Sequence, residues 1–146
     1  MKSFHVTGAL AIALICSAPA LLAQSKATNP AVKARQEAML QIGGGMKVLS
    51  DMAKGDQAFD AEAANAAVAT IATVSAEIPD LFEAQEDDPE SEALPAVWSD
   101  WDDFVVKAEA LHTGAQSITV TDEASLQPAL GTLGVTCKQC HDDFRD

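Results

Sequence analysis

Tyrosine is missing from these 146 residues, and aromatic side chains of any kind make up only 5% of them. Basic side chains are also scarce, with 9 Lys and Arg against 22 Asp and Glu and a formal charge of −13. So acidic a chain has little to attract nucleic acid or an anionic membrane surface, both of which draw Lys and Arg. A protein with a basic docking surface is the natural counterpart, although acidity alone also serves solubility. No run of residues alternates apolar and polar for long, so a strand architecture has no support, and no repeat is visible. Only three cysteines occur, and one of them lies in the first two dozen residues.

Long apolar runs are equally rare. The single clear one, Val6 to Cys16, follows Met1, Lys2 and His5 and precedes a segment rich in small residues, Ser17 to Gln24. A membrane span needs about 20 apolar residues, so this run is too short. A charged start, a short apolar stretch and a small residue at the cut describe a secretory signal peptide. The expected cut follows Ala23, with Ala20 as second choice. Cys16 belongs to the discarded part, because Leu14 and Ile15 are too bulky to precede a lipid-modified cysteine. Residues 24–146 then form one soluble domain without a membrane span, exported to the periplasm, an oxidising compartment.

What the chain has in abundance is alanine, which favours helix. Four stretches show helical spacing. In the first, Val32, Arg35, Met39, Ile42, Met46, Leu49 and Ala53 recur every three or four residues, as in the seam of a bundle helix. Asn29 caps it and Pro30 suits its first position. Gly43, Gly44 and Gly45 fall inside; the run reads either as a kink or as close approach of a neighbouring helix or subunit. The second stretch starts near Asp60, carries Ala64, Ala67, Val68, Ile71, Val74 and Ile78 on one side, and ends at Pro79. An acidic loop follows from Asp80 to Ala96, anchored by Leu81 and Phe82. The third stretch starts at about Val97 and aligns Trp98, Trp101, Val105, Ala108, Leu111 and Ala115. The fourth is capped by Thr121 or Asp122 and aligns Leu126, Leu130, Leu133, Cys137, Cys140 and Phe144, with Pro128 marking its effective start. Four amphipathic helices with short links predict an all-α, antiparallel four-helix bundle.

The chemistry sits in Cys137-Lys138-Gln139-Cys140-His141. Two cysteines followed directly by histidine match covalent attachment of one haem c. Cysteines at i and i+3 share a helix face, so both sulfurs can bond one edge of the macrocycle, and the next residue offers its imidazole to the iron. A structural zinc site would need four ligands, and only His112 could join these three. A thioredoxin-like dithiol would want a βαβ setting.

The motif lies at the tail of the last helix, and here the chain resembles the class II cytochromes c, that is cytochrome c′ and its low-spin, c-556-like relatives. The resemblance rests on Val32 to Met39, on Val97-Trp98-Ser99-Asp100, and on Cys137 to Arg145. It implies that Arg35 and Gln36 lie near the haem propionates, where a charge in the helix seam would find its pair. The other reading of Arg35 is a side chain that snorkels to the surface. Arg145 matches a basic residue on the His141 side. Met39 matches the position facing the iron opposite His141, where a methionine sulfur closes the sixth site in low-spin members and an apolar residue leaves it open in cytochrome c′. Met39 as core filler is the other reading. Met46 and Met52 are less suited to reach. The resemblance thus implies a periplasmic carrier of single electrons that serves redox proteins and is no enzyme, or else a five-coordinate protein that binds nitric oxide or carbon monoxide. Homodimerisation through the first two helices is a trait of many relatives.

Overall fold

The computed structural model describes residues 25–146; the expected signal peptide and its cut lie outside them. Six helices follow in order: α1 (Pro30–Lys54), α2 (Ala61–Ala76), α3 (Ile78–Phe82), α4 (Ala96–Ser99), α5 (Trp101–Gln116) and α6 (Leu126–Phe144). The four long ones, α1, α2, α5 and α6, pack in a ring, each against the next and α6 back against α1. The start of α1, the end of α2 with α3, the start of α5 and the end of α6 meet at one end of the molecule, so neighbours run antiparallel. This is the expected four-helix bundle.

Local chemistry sets most boundaries. The Asn29 side chain accepts hydrogen bonds from Ala31 N and Val32 N at 2.8 and 3.3 Å, and Pro30 occupies the first turn, where no N–H is needed. At the other end of α1, Gly55 turns left-handed at φ 78°. Asp60 caps α2 by accepting from Glu62 N and Ala63 N. Glycine has a clear packing role at Gly45, where a Cβ would come within 2.8 Å of Ile71 Cγ1 and 3.0 Å of Ala67 O in α2. Close approach of a neighbouring helix is therefore the reason for Gly45, and α1 runs unbroken through all three glycines.

The structure corrects three boundaries. Pro79 does not simply end the second helix: α2 stops at Ala76, and Pro79 opens the separate turn α3. The third stretch is two helices, because Asp100 leaves helical geometry at φ −126°, ψ 48°. That break lets Trp98 Nε1 donate to the Phe82 carbonyl at 2.7 Å and buries Phe104, which the aligned face omitted. Asp122 caps a 3₁₀ turn, Glu123–Ser125, rather than α6 itself. Pro128 falls in the first turn of α6, where its missing N–H costs nothing. Asn65 ties the α5–α6 link to α2, giving Nδ2–H to Val120 O at 2.7 Å and taking Val120 N–H at 3.0 Å.

Candidate functional site

The converging helix ends enclose a cavity of about 510 Å³, within the span of roughly 300–1,000 Å³ usual for organic ligands. From α1 come Val32, Arg35, Gln36, Met39 and Leu40; from α6 come Cys140, His141 and Phe144, with Arg145 beyond. Phe82, Val97 and Phe104 form the floor, and residues 90–93 of the acidic loop form the rim. The aromatic wall is continuous. Phe104 packs on Phe82 at 5.1 Å, on Trp101 at 5.5 Å and edge-on to Phe144 at 5.3 Å between ring centroids. Phe104 falls in helical register with the buried Ala108, Leu111 and Ala115; the expected face missed it because it was carried back through Val105 to Trp101, as if no break occurred at Asp100.

Cys137 and Cys140 are half-buried on α6 and are not bridged to each other. Burial pushes both thiols up, Cys140 to about 11, so they stay protonated at neutral pH. Cys140 lines the cavity; Cys137, one turn earlier on α6, is not among the lining residues. Partial burial lowers the pKa of His141, and Arg145 lowers it further. Its imidazole is therefore neutral at pH 7 and keeps a lone pair for a metal. Lys107 of α5 ties this region together: it pairs with Asp103 at 2.7 Å and with Asp143 of α6, over the Phe144 ring.

Met39 is half-buried and borders the same cavity as His141. Met46 and Met52 lie outside the lining, and Met52 is fully buried in the core. His112 is bound elsewhere, its Nδ1 2.7 Å from the Ala72 carbonyl between α5 and α2. Among the described residues, no three His, Cys, Asp or Glu side chains gather as a metal site.

The polar residues expected near propionates have protein partners. Arg35 is 3% exposed, so it does not snorkel to the surface. Its Nε donates to Leu81 O and its Nη1 to Glu86 O, each at 2.9 Å, and its Nη2 donates to Ala84 O. The guanidinium also lies 4.9 Å from the Phe82 ring and 5.4 Å from that of Trp98. Burial lowers its pKa without bringing it near neutrality. Gln36 accepts from Ser25 Oγ and donates to Glu90 O at 2.5 Å. Arg145 pairs with Glu92 at 2.5 Å, where the loop joins the C-terminal tail: Leu94 N donates to Phe144 O at 3.0 Å and Asp146 N to Glu92 O at 2.9 Å.

The donor set suits haem c: two reduced thiols one turn apart, a neutral imidazole beside them, and an aromatic cavity large enough for a flat cofactor. Comparison with known proteins agrees. The model of the family described as cytochrome C′ matches residues 30–145. A cytochrome c-556 of Agrobacterium fabrum is 36% identical over 148 aligned positions, covering 99% of this chain and 97% of that protein. A cytochrome c′ of Rhodopseudomonas palustris is 37% identical over 123 positions, covering 82% and 84%. The crystal structure of an engineered cytochrome c′ from the same organism superposes with a TM-score of 0.73 at 32% identity, covering 80% of this chain and 98% of that one. With its four-helix bundle and its Cys137–Cys140–His141 motif, the chain belongs to the cytochrome c′ family of haem c proteins.

Proposed function

We propose that this protein carries single electrons in the periplasm, after export and cleavage behind Ala23, and that it transforms no substrate. Cys137 and Cys140 would hold the haem through thioether bonds, and His141 and Met39 would be the residues that ligate its iron. The observation that carries this reading is that Met39 of α1 and His141 of α6 border one cavity. The haem supplies a one-electron iron couple, and a His/Met ligand pair raises its potential.

The chain's own residues do the rest. Phe82, Phe104 and Phe144 exclude water from the cavity, which lowers the local dielectric and disfavours the more charged ferric state. The depressed pKa of His141 keeps its nitrogen unprotonated. Helices fix both ligands, so little rearrangement accompanies electron exchange. The partner is a redox protein with a basic docking face, matched to the acidic rim of Glu90 and Glu92. No described helix is long and apolar enough to cross a membrane.

The ferric absorption spectrum tests the reading. It should show the weak near-infrared band of methionine sulfur on low-spin iron. A high-spin spectrum that changes at once with nitric oxide would replace electron transfer by gas binding.

A further inference from the structure

The cavity wall includes a segment that belongs to neither the helices nor the Cys137–His141 motif. Residues 25–29 precede α1, and the first two of them, Ser25 and Lys26, join the cavity lining. This strap is firmly latched. One oxygen of the buried Asp88 carboxylate accepts from Thr28 N, Thr28 Oγ1 and Asn29 N, each at 2.9 Å. Asn29 Nδ2 donates to Glu86 at 3.0 Å, Ser25 Oγ donates to Gln36, and Ala27 is buried.

Haem brings two propionate carboxylates, and a carboxylate beside an apolar cavity needs a cation or donors. The charged groups facing the cavity are Arg35 from α1, Glu90 and Glu92 from the loop, Arg145 after α6, and Lys26 from the strap, with neutral His141 among them. Arg35 spends one donor from each of its three nitrogens on carbonyls, and Arg145 is taken by Glu92. Lys26 makes no ion pair or side-chain hydrogen bond among the described residues. Of these three cations it alone has neither an ionic nor a hydrogen-bonding side-chain partner among the described residues.

We propose that Lys26 is a cofactor-binding residue whose ammonium pairs with a haem propionate, so that the strap 25–29 is a wall of the haem site. This rests on the haem reading above but not on Met39. Reduction adds a negative charge, which a paired cation stabilises, so Lys26 also favours the ferrous form.

The test uses the mature holoprotein. In its NMR spectrum the Lys26 ε-methylene should show nuclear Overhauser contacts to propionate methylenes. Lys26→Gln should lower the reduction equilibrium constant several-fold, and Lys26→Arg should restore it. Lys33→Gln is the control, since Lys33 is exposed, pairs with Glu37 and does not line the cavity; it should leave the equilibrium unchanged. Absence of the contacts, or a Lys26→Gln effect no larger than that of Lys33→Gln, overturns the proposal. The near-infrared band of the same wild-type sample reports on Met39 separately, so the two ideas fail independently.

Discussion

Arg35 in α1 donates its Nε–H to the carbonyl of Leu81 at 2.9 Å, bridging the first helix to α3, just before the acidic loop. With Glu86 O and Ala84 O also bound, one guanidinium fixes the loop that rims the cavity. Arg35→Leu should therefore destabilise the holoprotein by roughly 2–4 kcal/mol, as expected when several charge-assisted bonds are lost together. Arg35→Lys should recover only part, because an ammonium cannot reproduce the planar fork. Denaturant unfolding followed by helical circular dichroism measures both; two variants as stable as wild type would show that the loop is held by other means.

The three glycines of α1 should behave differently from one another. An added methyl at Gly43 or Gly44 meets nothing within 4 Å, so Gly43→Ala and Gly44→Ala should each stabilise by up to about 1 kcal/mol through helix propensity. Gly45→Ala drives a methyl against Ile71 and the Ala67 carbonyl and should cost roughly 1–3 kcal/mol. Thermal or urea unfolding of the three variants gives the order; a neutral Gly45→Ala would mean that α1 and α2 separate easily.

Acid should loosen the strap. The N–H groups of Glu90, Asn29 and Thr28 hold the Asp88 carboxyl down at about 2, against an ordinary value of 3.8. A carboxylate depressed on folding adds stability at pH above 3.8, and that contribution fades as pH falls from there towards 2. Asp88→Asn should lower stability at pH 7 and flatten the stability–pH curve inside this window. Equilibrium unfolding at several pH values checks it, and a variant curve parallel to wild type would remove Asp88 from the acid response.

Met39 gives the ligation forecast. Met39→Ala should turn a low-spin ferric protein high-spin, while Met46→Ala leaves the spectrum alone, because Met46 lies outside the cavity lining. Absorption spectroscopy decides; an unchanged Met39→Ala spectrum would take Met39 out of the sixth position.

These residues also show what a sequence can carry. The cap at Asn29 was legible because capping is decided within four residues, and the start of α2 was placed near Asp60, which proves to be its cap. The Cys137–His141 motif was legible because its spacing is itself the chemistry. The buried face of α2 followed its periodicity from Ala64 to Val74, with Ser75 buried in addition, and Ile78 is buried in α3 instead. In α1 the pattern was less faithful: Ala38, Gly45 and Met52 are buried, whereas Met39 and Met46 are half-exposed. That helix packs on both α2 and α6, so its buried stripe is wider than one seam and leaves Met39 at the cavity edge. The break at Asp100 and the carbonyl partners of Arg35 were not legible. Both depend on where a loop far along the chain comes to rest, and no local pattern records that.

The most direct check on the whole account is the intact mass of the exported, matured protein under denaturing conditions. It should equal the polypeptide plus one haem, with the gain confined to the peptide holding Cys137 and Cys140. A colourless product with the bare polypeptide mass, its two thiols free or joined to each other, would contradict it.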